Sequence, residues 1–178
     1  MFKLKSTKIG ILGGSFDPAH KGHLKISKIA LKKIKLKKIY WVVTKKNPFK
    51  EKTFFSLKDR IDKAKKISSK IKNIEVLYID DVIKSSKSIK VIQYILKKKK
   101  PKDLYFIVGS DILLKFHRWH SWKRIVKLTK LIVFSRKGYD RKSRKTIVVK
   151  YLNKNNITFI KNKPIEVSST FLRKRVKI

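Results

Sequence analysis

Short apolar runs alternate along this chain with longer stretches in which apolar positions recur at helical spacing. That alternation predicts βαβ units: an α/β fold with a mostly parallel sheet flanked by helices. Residues 8–12 read as the first strand. Leu24, Ile26, Ile29, Ala30, Leu31 and Ile34 then hold a helical period through a background of lysines. Residues 39–43 predict a second strand and residues 44–50 a loop. Ser56 is placed to cap a helix carrying Leu57, Ile61, Ala64 and Ile67. Residues 74–79 predict a third strand, and residues 88–96 a helix stopped by the lysines at 97–100 and by Pro101. Residues 104–108 form a continuous apolar run, expected to be a buried strand. Residues 112–127 predict two short helices broken near 118–120, residues 131–134 a fifth strand, and residues 157–160 a short last one. A terminal helix is expected over 168–176, capped by Ser168 or Ser169. No repeat or linker interrupts the pattern, so residues 1–178 are expected to form a single domain.

In a sheet of this kind ligands bind beyond the carboxyl ends of the strands. The segments expected there carry the candidate chemistry. After the first strand comes Gly13-Gly14-Ser15-Phe16-Asp17-Pro18-Ala19-His20-Lys21-Gly22-His23, a glycine turn and two histidines between a strand and a helix. Exposed N–H groups and the positive end of the helix dipole make that junction an anion site. His20 and His23 are three apart, so on a first helical turn both rings reach one phosphate chain. The dinucleotide fingerprint and the Walker loop are both excluded by the glycine spacing. After the fourth strand, Asp111 of Gly109-Ser110-Asp111 can accept from ribose hydroxyls while the glycine admits a ligand; an N-cap role for Asp111 is compatible with this. At the chain's last helix, Ser168-Ser169-Thr170 and Arg173 offer hydroxyls, N–H groups and a guanidinium to phosphates.

Charge and composition narrow the picture. Fifty Lys and Arg against eleven Asp and Glu give a formal charge of +39, a surface that attracts polyanions. Only eight of those cations are Arg, and the lysines are distributed along the chain rather than gathered in a patch. Base-reading sites favour local arginine, so specific nucleic-acid binding is not expected. The absence of cysteine excludes disulfides and thiolate chemistry, and a cytoplasmic location is expected. No apolar run approaches a membrane span, so no membrane partner is expected. Self-association into a homo-oligomer stays open.

Residues 13–23 resemble the signature G-G-(T/S)-F-D-P-x-H-x-G-H of the HxGH nucleotidyltransferases, with every position filled. The wider chain resembles the bacterial nicotinate-nucleotide adenylyltransferase branch of that superfamily. Its Pro-x-Lys loop looks like Asn47-Pro48-Phe49-Lys50, its Gly-x-Asp like Gly109-Ser110-Asp111, and its following tryptophan like Trp119. Arg136-Lys137-Gly138-Tyr139 and Ser168 to Arg173 resemble its two remaining motifs. The resemblance implies a Rossmann-like nucleotidyltransferase fold and adenylyl transfer from ATP to nicotinate mononucleotide in NAD biosynthesis. It implies catalytic roles for His20, His23, Lys50 and Arg173. It implies ATP contacts at Gly13, Gly14, Ser15, Phe16, Gly109, Asp111, Ser168, Ser169 and Thr170, and pyridine-nucleotide contacts at Ser88, Trp119 and Arg136. Mg²⁺ is expected to be held mainly by substrate phosphates, with no protein metal site. Asp17 is expected to be a turn residue and Trp122 a packing residue.

Two positions depart from the branch. Ser86-Lys87-Ser88 stands where Ser-Tyr-Thr is usual, which replaces an aromatic by a cation able to pair with a carboxylate. Phe49 stands where His is common before Lys50. Alternative readings are a transferase for nicotinamide mononucleotide or another phosphomonoester such as phosphopantetheine, and a basic nucleic-acid-binding relative without catalysis.

Overall fold

The computed structural model describes residues 7–45, 52–162 and 169–176. Strands β1 (Lys8–Gly14), β2 (Lys38–Val43), β3 (Ile74–Leu77), β4 (Asp103–Gly109), β5 (Lys130–Phe134) and β6 (Ile157–Ile160) form one six-stranded sheet. Its order is β3-β2-β1-β4-β5-β6, and every pairing is parallel. The helices are α1 (Lys21–Ile34), α2 (Leu57–Ser68), α3 (Ser88–Lys99), α4 (Ser110–Leu113), α5 (Trp122–Leu128), α6 (Asp140–Ser143), α7 (Ile147–Tyr151) and α8 (Ser169–Val176).

Strand alternation sorts the core into two layers. Ile9, Ile11, Tyr40, Val42, Phe106, Val108, Leu131 and Val133 face α3 and α5, packing on Ile92, Ile95, Ile125 and Val126. The intervening residues Leu12, Ile39, Trp41, Val43, Ile107, Ile132 and Phe134 pack on Ile26 and Ala30 of α1 and Ala64 of α2. Strands covered on both faces read as continuous apolar runs, which is why the sheet was visible in the sequence. Trp41 is fully buried, and its indole N–H donates to Ser27 of α1 at 2.8 Å, so the one polar atom of that ring is satisfied.

Several boundaries differ from expectation. The first strand runs on through both glycines, with Gly13 paired to Val42 and Gly14 to Val43. The bend falls at Ser15 and Phe16, where Phe16 takes φ 46°. Helix α1 starts at Lys21, earlier than its first apolar residue, because His20 caps it. The third strand stops at Leu77. Helix α3 continues to Lys99 and ends where Lys100 turns left-handed (φ 42°) and donates its N–H to Leu96; three lysines in that last turn complement the helix dipole rather than break it. The short helices α6 and α7 lack a clear apolar period and were not expected.

The chain lays down β1, β2 and β3 in one direction, then crosses back to place β4 on the other side of β1. The loops leaving β1 and β4 therefore diverge, opening a crevice at the carboxyl edge of the sheet.

Candidate active site

His20 occupies the N-cap of α1 in extended backbone geometry, and its Nδ1 accepts the Gly22 N–H at 3.0 Å. His23, at the third helical position, accepts the His20 N–H on its own Nδ1 at 3.2 Å. The pair is a reciprocal capping box built from two imidazoles, in which each ring satisfies a main-chain donor the helix start leaves over. The spacing of the two histidines is thus fixed by helix geometry. With Nδ1 an acceptor, a neutral imidazole carries its proton on Nε2, so both rings are held as Nε2–H donors. Their centroids lie 3.9 Å apart. Burial, and secondarily the charge of Arg136, lowers the His20 pKa from 6.5 to about 4, so His20 is neutral at physiological pH.

Phe16 anchors the loop from below. It is buried, stacks on Trp41 with centroids 5.3 Å apart, and lies 4.9 Å from the His23 ring. Gly14 precedes it, and a Cβ placed there would meet no atom closer than 3.9 Å. The protein's own packing leaves that space open above the strand end.

Asp17 does more than turn the chain. It is buried, and its carboxylate accepts the N–H groups of Phe54 (2.9 Å) and Phe55 (2.9 Å). Arg173 of α8 donates to the Asp17 carbonyl at 2.6 Å and lies 3.5 Å from its carboxylate. Ser169 donates to the Pro18 carbonyl at 3.0 Å, and Arg173 also donates to Thr170 at 3.1 Å. Helix α8 is therefore docked on the histidine loop. Lys50, Ser168 and residues 47–49 lie outside the described residues.

The second wall comes from β4 and β5. Gly109 ends β4, and a Cβ there would collide with the carboxylate of Asp111, so this glycine makes room for the aspartate itself. Asp111 Oδ1 is buried, has no hydrogen-bond partner among the described residues, and lies 3.8 Å from Arg136 Nε. Ser110 donates to Asp140 at 2.8 Å and accepts the Arg136 N–H at 2.9 Å, which ties the loop after β5 to the end of β4. Burial pushes the Asp140 carboxyl up, but hydrogen bonds from Ser110, Ser135 and Arg136 outweigh it and leave the pKa lowered. Arg136 stands between the two walls, beside Asp111 and within electrostatic reach of His20.

Trp119 stacks on Phe116 (4.9 Å, 17°) and meets Phe106 edge-on (5.9 Å), half-buried over the α3/α5 layer. Trp122 packs against Tyr151 at 5.2 Å. Ser88 opens α3, and exposed Lys87 is its N-cap without a side-chain hydrogen bond. Ser86 donates to Asp80 at 2.8 Å.

Arg60 and Asp80 are buried at the same edge and were not singled out in the sequence. Arg60 carried a signal: its place is on the apolar stripe of α2 with Ala64 and Ser68, in a chain that otherwise spends lysine freely. Asp80 carried none, since an acidic pair after a strand reads as a turn.

The crevice, the imidazole cap and the docked basic helix define a nucleotide-handling α/β protein. The chain belongs to the cytidylyltransferase-like family, whose family model matches residues 11–175. Within it the chain sits among the nicotinate-nucleotide adenylyltransferases. It is 50% identical over 170 residues to a probable nicotinate-nucleotide adenylyltransferase of Pelagibacter ubique, covering 96% of this chain and 94% of the relative. It is 36% identical over 167 residues to the corresponding probable enzyme of Aquifex aeolicus, covering 90% and 98%. The fold matches Plasmodium falciparum nicotinic acid mononucleotide adenylyltransferase complexed with NaAD, with a TM-score of 0.72 at 20% identity over 94% of this chain and 83% of that one. No helix among the described residues is long and apolar enough to cross a membrane.

Proposed function

We propose that this protein transfers the adenylyl group of ATP to nicotinate mononucleotide, releasing pyrophosphate and forming deamido-NAD. Family membership supports the reading, and the observation that carries it is the double-histidine cap at the β1–α1 junction. A phosphate oxygen of the mononucleotide attacks the α-phosphorus of ATP; the bond to the β-phosphate oxygen breaks, and pyrophosphate leaves with that electron pair. The attacking phosphate is already ionised at neutral pH, so no general base is needed. Catalysis is then positioning and neutralisation of charge at phosphorus and the leaving group.

His20 and His23 donate Nε2–H to ATP phosphate oxygens, aided by the dipole of α1. Arg173 and Lys50 neutralise the departing pyrophosphate. Gly13, Gly14, Ser15 and Phe16 offer the triphosphate their main chain, while Ser169 and Thr170 bound it from α8, with the Ser168 hydroxyl as a further donor. Asp111 takes the adenosine ribose, beside Gly109. Trp119, Ser88 and Arg136 receive the pyridine nucleotide, with Lys87 available to the nicotinate carboxylate.

Among the described residues no three His, Asp or Glu side chains come together as a metal cage. A Mg²⁺ would be carried by substrate phosphate oxygens and water and would add charge neutralisation there. A cytoplasmic setting with free nucleotide pools completes the proposal.

The test is pyrophosphate release from ATP and Mg²⁺ with nicotinate or nicotinamide mononucleotide, with the dinucleotide product weighed by mass spectrometry. Deamido-NAD formation preferred over NAD is expected. Release with neither mononucleotide overturns the reading, and a preference for the amide reassigns the acceptor.

A further inference from the structure

We infer that Arg60 is a positioning residue for adenylyl transfer, its guanidinium setting the separation of the two loops that leave β1 and β2. The inference rests on the adenylyl-transfer reading above. Arg60 is 1% exposed on the inner face of α2. Its Nη1 donates to the Ser15 carbonyl at 2.7 Å and to the Thr44 carbonyl at 2.8 Å. Those residues are the first beyond the ends of β1 and β2. The last main-chain rung between the strands is Thr44 N–H to Gly14 at 3.0 Å. Past that rung the strands part, and the guanidinium supplies the next cross-link from outside the sheet.

What hangs from this cross-link is most of the site. Ser15 leads into Phe16, Asp17 and the histidines. Thr44 is bound through its hydroxyl to Asp80 at 3.0 Å. Asp80 also accepts from the Lys45 N–H at 2.8 Å and from Ser86, ahead of α3. Burial lowers the pKa of the guanidinium, and the carboxylates of Asp17 and Asp80 oppose that shift in part by favouring the charged form. The triphosphate loop and the segment leading to Ser88 are therefore registered to each other through one fully buried cation. Both bonds leave one nitrogen at the far end of the arginine side chain, and a lysine ammonium, on a shorter stem, stops short of the point from which both carbonyls are in range.

Each substrate retains its own contacts when this registration loosens. What is lost is the in-line approach of one to the other, and a displacement of about 1 Å costs on the order of 100-fold in rate. The turnover number therefore falls while both Michaelis constants hold.

The experiment compares wild type, Arg60→Lys and Arg60→Met by steady-state kinetics in both substrates, with circular dichroism and thermal melting as the check on folding. Arg60→Lys is expected to fold, keep both KM values within about threefold and lose on the order of 100-fold in kcat. Arg60→Met, which fills the volume without donors, is expected to lose at least as much. Wild-type kcat in a folded Arg60→Lys or Arg60→Met overturns the role of Arg60. So does a loss in kcat that matches the unfolded fraction. A wild-type protein that transfers no adenylyl group overturns the functional reading itself, which separates the two failures.

Discussion

Arg173 donates a 2.6 Å hydrogen bond to the main-chain oxygen of Asp17, a residue 156 positions earlier in the chain. The contact places a cation from α8 against the loop that carries both histidines. It does two things at once: it holds the loop, and it brings positive charge to where the proposed triphosphate lies.

Arg173→Ala should accordingly lower kcat/KM for ATP by about 100-fold, since a charge-assisted contact with its partner left behind costs roughly 2–5 kcal/mol. Arg173→Lys keeps the charge but not the fork, and is expected to fall between. Steady-state kinetics with ATP varied decides the order. An alanine variant as active as the lysine variant contradicts it.

His23→Ala removes one of the two proposed phosphate donors and half of the helix cap. Turnover should drop by about 100- to 1,000-fold, the range for loss of one preorganised donor. Stability should drop by about 1 kcal/mol, the usual cost of a lost cap. His23→Gln returns an acceptor to the His20 N–H, so urea denaturation should show most of the stability recovered while the rate stays low.

The His20 cap makes stability depend on pH in a defined direction. Its folded pKa is about 4 against 6.5 for a free imidazole, so between those values the unfolded chain binds more protons. The contribution is complete above pH 6.5, is lost progressively as pH falls through 4, and levels off below. Its full size is on the order of 3 kcal/mol. His20→Asn keeps a capping acceptor that does not titrate in this range. Denaturation midpoints for wild type and His20→Asn should therefore run parallel above pH 6.5, and the wild-type midpoint should fall relative to that of His20→Asn below it.

Gly14 and Gly109 should answer differently to alanine. At Gly14 the new methyl meets nothing closer than 3.9 Å, so Gly14→Ala should melt at or above the wild-type temperature. Its KM for ATP should rise at least about tenfold if phosphate approaches the bare main chain there. Gly109→Ala drives into the Asp111 carboxylate and should lose both melting temperature and ATP affinity. Calorimetry on both variants, with and without ATP, separates the cases.

Much of this was legible beforehand because the central strands are covered on both faces and the longer helices on one. Apolar runs and helical periods therefore marked the β1 to β6 order of elements directly. Strand order was not in the pattern, because an apolar run does not record which strand lies beside it; it came with the structure. The histidine pair was legible as a motif, but its reciprocal capping was not, because imidazole seldom serves as a capping acceptor. Asp17 looked like a turn residue since its partners, Phe54, Phe55 and Arg173, are far off in sequence. Arg60 was hidden by the assumption that a charge on an amphipathic helix faces water. At Gly109 the sequence did not reveal that the missing Cβ also makes room for the Asp111 carboxylate.

The pairing of Asp17 with Arg173 also orders events during synthesis. A ribosome adding about 5–20 residues per second needs on the order of ten seconds to pass from the first residue to the second. For that interval the emerging polypeptide displays its complete histidine motif without the arginine that steadies it. The loop is thus made long before α8 clears the exit tunnel and can close on it.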